Sequence, residues 1–318
     1  MKIIQPTFYK DFKCIAGACP DSCCQGWEVD ADSASLKYYA TLDPSLDIKK
    51  KIDSVLSKDE FGNVIFTLAP KKRCPFLNEE NLCDMHIAIG EENTPFTCRN
   101  FPRFNNYFGG TKEIGVSFSC PVAAEMMYNL DKWSFEESVD AQPPMLNDID
   151  AADFFSLKKM RDKIYSLLSD RSRHIKDRII SAITLCKEVY YDEKIIDTLT
   201  LQEVLTNPEL INPEWKERVK SMSEAPVSDT VANENIAFYF IYKCFLASLL
   251  EGDYSPLSAV KMAAVGILVN TYCGESAWTV HLWSKETEHS QYNMDRYKRL
   301  LNTSDCLSCE RLIEMLEK

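Results

Sequence analysis

The chain has 318 residues, 45% hydrophobic and 26% charged, which is the composition of a soluble globular protein with one large or two moderate cores. A formal charge of −12 excludes the basic face that nucleic-acid binding requires. Met1-Lys-Ile-Ile-Gln-Pro lacks the apolar core of a secretory signal, and the most apolar run, Ile236 to Leu250, is about fifteen residues long, contains Lys243 and is too short to span a bilayer. These features predict a cytoplasmic protein with neither membrane nor nucleic acid as partner. In that reducing compartment thirteen cysteines read as ligands and core residues rather than disulfides.

In chain order, a dense cysteine cluster over residues 14–24 comes first. Asp32-Ser33 then starts a helix over 34–42, and a second is expected from Pro44 to Ser57, with Leu46, Ile52, Val55 and Leu56 as its apolar positions. Val64 to Leu68 reads as a short strand and Lys112 to Ser119 as another, separated by an irregular stretch rich in proline and asparagine. Cys120-Pro121 opens a helix with proline in its first turn. The consecutive prolines of 141–145 suit a linker, which predicts a cysteine-rich region over 1–145 and a helical domain over 146–318. In the latter, three- and four-residue spacing of apolar side chains predicts helices over 155–168, 174–191, 234–251, 258–271, 278–287 and 309–316. The expected fold is mainly α, with a partly irregular cysteine-rich N-terminal region holding a few short strands.

The chemistry concentrates in that region, where eight cysteines fall within 120 residues: Cys14, Cys19, Cys23, Cys24, Cys74, Cys83, Cys98 and Cys120. Soft thiolates select zinc or an iron–sulfur cluster, and either site takes four ligands, so the eight could serve one site with spares or two sites. The cations Lys71, Lys72, Arg73, Arg99 and Arg103 stand close to these cysteines in sequence, as an anionic centre would favour, although charges there also suit a solvated surface. Arg99 could clamp a carboxylate, or pair with the metal site or a local aspartate. Cys186, Cys244 and Cys273 read as small core residues, and Cys306-x-x-Cys309 as incidental. The run Phe238 to Tyr242 reads as core, and His174, which begins a basic helix with Lys176 and Arg178, as solvated.

Several segments together resemble the family of zinc- or iron-chelating domains with clustered cysteines, and within it the flagellin lysine-N-methylase (FliB-like) branch. They are Cys19-Pro-Asp-Ser-Cys-Cys-Gln-Gly-Trp27, Cys74-Pro-Phe-Leu77, Cys98-Arg-Asn-Phe-Pro102, Ser119-Cys-Pro-Val-Ala-Ala124, and Trp283-Ser-Lys-Glu-Thr-Glu-His-Ser290 followed by Asn293. The resemblance implies an iron–sulfur cluster (4Fe-4S), S-adenosylmethionine as methyl donor and flagellin lysines as acceptors. It also implies cofactor-binding roles for Glu288 and His289. The residues themselves leave zinc open, and leave open a non-enzymatic zinc- or iron–sulfur-binding protein. No G-x-G-x-x-G follows an expected strand, so a Rossmann-type donor site has no support. The residue that would deprotonate the acceptor amine is unassigned.

Overall fold

The computed structural model describes residues 1–59, 62–141, 143, 149–206, 209–250 and 254–318. The chain falls into two compact units. A cysteine unit comprises Lys13–Phe104 with Cys120–Val122, and a helical unit comprises Met1–Phe12, Asn105–Ser119 and Ala123–Lys318. This division is not the single cut expected near residue 145, because residues at the start of the chain pair with strands more than a hundred positions later. Of the linker expected over 141–145, only Ala141 and Pro143 lie within the described residues.

The elements run β1 (Lys2–Pro6), α1 (Ser33–Tyr39), α2 (Asp47–Val55), β2 (Leu56–Lys58), β3 (Val64–Phe66), α3 (Asp84–Ile89), α4 (Phe96–Asn100), β4 (Arg103–Phe108), β5 (Thr111–Val116), α5 (Pro121–Tyr128) and β6 (Phe135–Val139). Helices follow: α6 (Ala151–Leu168), α7 (Ile175–Tyr190), α8 (Leu201–Leu205), α9 (Pro213–Lys220), α10 (Val231–Cys244), α11 (Pro256–Tyr272), α12 (Ala277–Glu288), α13 (Gln291–Thr303) and α14 (Cys309–Glu317). The fold is mainly α with short strands. Among the described residues no helix is long and apolar enough to cross a membrane.

The cysteine unit is built from short elements around Val29, Tyr39, Ile52, Phe66, Phe76 and Met85. Its first helix starts where the sequence indicates. The Asp32 carboxylate accepts the amides of Ala34 and Ser35, both at 3.0 Å, and also that of Phe96 at 2.7 Å. Partial burial would raise this carboxyl, but the three amide donors and the Ser35 hydroxyl outweigh it and lower the pKa to about 2. A depressed folded-state pKa contributes stability above the unfolded value, about 3.9 for Asp, and that contribution is lost as pH falls toward 2. Asp32→Ala is therefore expected to cost the cysteine unit about 1 kcal/mol at pH 7 and to flatten its stability profile between pH 4 and 2. Urea titrations across that range would show it; an unchanged acid limb would remove Asp32 as its source. The helix α2 is shorter than the 44–57 expected, since its C-terminus leads directly into β2, where Leu56 pairs with Phe66 of β3.

A four-stranded sheet runs in the order β4-β5-β1-β6, with β1 parallel to β5 and antiparallel to β6; apart from Arg103 and Phe104 of β4, its strands belong to the helical unit. Serine caps begin several of its helices: Ser276 accepts Thr279 N at 3.1 Å for α12, and Ser308 accepts Arg311 N at 3.3 Å for α14. The core centres on α10 and α11, both hydrophobic nearly all round and buried accordingly. Phe238 to Tyr242 is core as expected. Gly266 is where the two helices meet most closely, since a Cβ there would lie 2.8 Å from Ile236 Cγ2 and 2.9 Å from Phe240 Cε2.

Buried ion pairs cross this core. Arg161 makes a bidentate contact with Glu113, Nη1 to Oε2 at 2.8 Å and Nη2 to Oε1 at 2.5 Å. Lys261, fully buried, pairs with Glu193 and donates to Leu301 O at 2.6 Å. Arg178 donates to Glu234 at 2.6 Å and, with Arg171, satisfies that carboxylate. Arg178, on the helix read as basic, is buried, because α10 brings Glu234 to it. His174 serves as the α7 cap, its Nδ1 accepting Lys176 N at 3.2 Å.

Candidate functional site

In the cysteine unit three sequence segments are laced together by backbone hydrogen bonds. Cys74 N donates to Cys24 O at 2.8 Å, Gly26 N to Lys72 O at 2.8 Å, and Asp84 N to Phe76 O at 2.8 Å. Gly26, at φ 103°, adopts the left-handed backbone that lets the chain turn straight after Cys23-Cys24. The Trp27 indole closes the turn by donating to Cys23 O at 2.8 Å. The result is an enclosed cavity of about 80 Å³ lined by five of the eight thiols named above, Cys23, Cys24, Cys74, Cys83 and Cys98, with Phe66, Phe76 and Met85 among its apolar walls.

Four of the five form a mutual set. Cys98 feels the charges of Cys24, Cys74 and Cys83; Cys74 feels Cys24 and Cys83; and Cys83 feels Cys24. Every pair within Cys24, Cys74, Cys83 and Cys98 is thus close enough to interact. Burial, then these neighbours, push the thiols of Cys74, Cys83 and Cys98 up, that of Cys74 to about 12. Cys23 is raised by its hydrogen bond to Cys24, then by burial and by Cys24, Cys14 and Cys98. Backbone amides oppose the trend: those of Phe76 and Leu77 donate to Cys74, and those of His86 and Met85 to Cys83. Amides turned toward sulfur are the hydrogen bonds that stabilise thiolate ligands and tune a cluster.

This donor set fits a metal ion or an iron–sulfur cluster in its chemistry: four soft ligands around one cavity with apolar walls, two of them already accepting amides. Among the described residues, no group of three or more His, Cys, Asp and Glu already stands in the geometry of a metal site. The other three cysteines are not among the cavity's lining residues. Cys14 is exposed, with Ala16 N donating to its sulfur at 3.4 Å; Cys19 is half-buried beside Asp21 O at 3.3 Å; and Cys120 is buried. None of the thirteen cysteines is in a disulfide.

Two of the cations expected near the centre, Arg73 and Arg99, hold backbone turns. Arg73 donates to Leu77 O at 3.3 Å, to Asn78 O and to Asn81 Oδ1 at 3.2 Å, fixing the loop between Cys74 and Cys83. Arg99 donates to Glu92 O at 3.1 Å and to Thr94 O, so its guanidinium holds the turn before α4. Arg99 still partly offsets the rise at Cys98.

Within the helical unit, Glu288 and His289 close α12 but have different surroundings. The Glu288 carboxylate takes four donors. Oε1 accepts from Tyr239 at 2.9 Å and Ser284 at 2.5 Å, and Oε2 accepts from Ser117 at 2.6 Å and from Lys243 Nζ. Burial alone would raise this carboxyl; the Lys243 charge and the hydroxyl donors overcome it and hold it below the usual range. Burial likewise disfavours the charged form of Lys243, and Glu288 more than restores it. His289 is buried, and burial with the nearby Lys285 charge pushes it down to about 3, so it is neutral at physiological pH.

The Lys243–Glu288 pair borders a pocket of about 160 Å³ whose other walls include Phe240, Met294 and Tyr297. Cys244 also lines this pocket and is half-buried, not packed in the core as expected; Cys186 and Cys273 are core residues. Sequence reasoning missed Lys243, Tyr239, Ser117 and Ser284 as members of a polar cluster. The available signal was a lysine in an otherwise apolar helix, which had been read only as interrupting a hydrophobic run.

No protein-family model matches the chain, and no solved structure matches it. Over 131 residues, 40% of this chain, it is 28% identical to the flagellar biosynthetic protein FliU of Salmonella muenchen, and the match covers 77% of that protein. It is 28% identical over the same length to the lysine-N-methylases of Salmonella choleraesuis and Salmonella typhimurium, in each case covering 32% of the relative. The match therefore spans about a third of the length of those two enzymes. The chain is distantly related to proteins named lysine-N-methylase.

Proposed function

We propose that the protein is a lysine N-methyltransferase that moves a methyl group from S-adenosylmethionine to the ε-amine of lysines on another protein, with flagellin as the acceptor. The observation that carries this reading is the similarity to two lysine-N-methylases and to a flagellar biosynthetic protein. Cys24, Cys74, Cys83 and Cys98 would hold the metal centre, either an iron–sulfur cluster (4Fe-4S) or zinc. Bound there, the centre supplies structural cross-linking of three chain segments.

The transfer itself is an in-line displacement. The neutral lysine nitrogen forms the N–C bond as the C–S bond breaks; the sulfur leaves as the neutral thioether of S-adenosylhomocysteine, and the amine proton passes to solvent or a protein base. An unperturbed lysine has a pKa of about 10.4, so the reaction is expected to accelerate as pH rises through neutrality.

The test is incubation of protein purified without oxygen with methyl-labelled S-adenosylmethionine and flagellin. Label on flagellin lysines is the expected result. Label on other proteins alone would replace flagellin as acceptor. No label on any protein, from a preparation holding its full metal content, would leave a metal-binding protein without this activity.

A further inference from the structure

The pocket beside Lys243 and Glu288 does not stand alone. It shares Tyr254 and Lys298 with a broad cleft of about 860 Å³ that is also lined by Tyr191, Asp295 and Asn302. Both spaces lie within the helical unit. At about 160 Å³ the inner pocket is smaller than the roughly 300–1,000 Å³ of ordinary ligand sites, whereas pocket and cleft together are large enough.

The inner walls combine three features seldom found together. Phe240, Tyr254 and Tyr297 supply aromatic rings, which attract a cationic centre that has no hydrogen to donate. The Glu288 carboxylate already accepts four hydrogen bonds, so it offers charge rather than an open acceptor position to whatever lies beside it. Lys243 and Lys298 outnumber that carboxylate on the wall, which suits a ligand carrying a carboxylate of its own. A sulfonium-bearing amino acid meets all three demands. The cleft beyond has the chemistry for a nucleoside: the Tyr191 ring for a base to stack on, the Asp295 carboxylate for ribose hydroxyls, and the Asn302 amide for a base edge.

We propose that the inner pocket and the adjoining cleft form the S-adenosylmethionine site, with the methionine arm inside and the nucleoside in the cleft; this rests on the methyltransferase reading above. The Lys243–Glu288–Tyr239 cluster is then the polar floor of the donor site, which gives Glu288 a cofactor-facing role. His289, neutral and buried next to it, supports the end of α12 instead.

Calorimetry with S-adenosylmethionine and S-adenosylhomocysteine, on protein with its native metal content and no acceptor present, tests the site apart from activity. Wild-type protein should bind both. Ala247→Leu, which fills the inner pocket, and Lys298→Met, which removes the shared cation, should each weaken binding at least tenfold without changing the melting temperature. Ala247 and Lys298 are only partly buried, and Lys298→Met decides the matter if Ala247→Leu folds poorly. Wild-type binding that both folded variants retain in full would place the donor elsewhere and overturn the site while leaving the methyltransferase reading intact. No binding by wild-type protein would remove that reading, and the site with it.

Discussion

Arg161→Leu should destabilise the helical unit by about 3–5 kcal/mol, the usual cost of leaving one charge of a buried pair uncompensated. Its partner Glu113 sits on β5, its own backbone is in α6, and the two side chains are 1% and 4% exposed. The guanidinium also lies over the rings of Tyr165 and Tyr242, 5.5 and 5.8 Å from their centroids, so no water reaches Glu113 cheaply once it is gone. Urea unfolding followed by circular dichroism measures the loss. Replacing both residues, Arg161→Leu with Glu113→Leu, should recover most of it, because a well-packed apolar pair often equals a buried ion pair. A single variant within 1 kcal/mol of wild type would mean that the carboxylate finds another partner or takes up a proton at little cost.

The second large effect is expected at the thiols. Cys24→Ser and Cys98→Ser should each lose most bound iron or zinc and melt the cysteine unit, since metal bound by a folded site contributes directly to folding free energy, of the order of 10 kcal/mol for structural zinc. That unit has a small core and no disulfide to replace the cross-link. Cys14→Ser and Cys19→Ser, outside the cavity, should keep their metal. Metal and acid-labile sulfide analysis on protein purified without oxygen, with thermal melts, distinguishes the two groups. Full occupancy in Cys24→Ser and Cys98→Ser would dissolve the four-thiol set. Equal loss in Cys14→Ser would extend it.

What could be read from the sequence was local. The helices of the second half declared themselves by apolar spacing, and Asp32 and the cap serines by their type. The sheet was largely hidden, because β1 is a five-residue strand whose partners are β5 and β6. The helix α13 was missed because its polar surface dilutes the periodic signal: only Asn293, Tyr297, Leu300 and Leu301 are buried. The cysteines stood out in the sequence as ligand candidates, yet which of the eight line one cavity depends on the pairing of Cys24 with Cys74 and on the turn that brings Cys83 back to Leu77. The burial of Arg178 was hidden because charge in a sequence carries no record of the carboxylate that meets it, here Glu234. Lys243 was visible as a charge in an apolar run, but its role was hidden because its partner, Glu288, is 45 residues away.

The position of β1 has a consequence for biosynthesis. Ile3 and Ile4 are made early, but their parallel neighbours Lys112 and Glu113 and their antiparallel neighbours Ser138 and Glu137 emerge from the ribosome only after the whole Lys13–Phe104 segment. At synthesis rates of about 5–20 residues per second, the nascent chain carries an unpaired, apolar strand for several seconds or more. The cysteine unit, whose contacts are local by comparison, can close during that interval. Until β5 and β6 arrive, β1 is the part of the nascent chain most open to pairing with another copy.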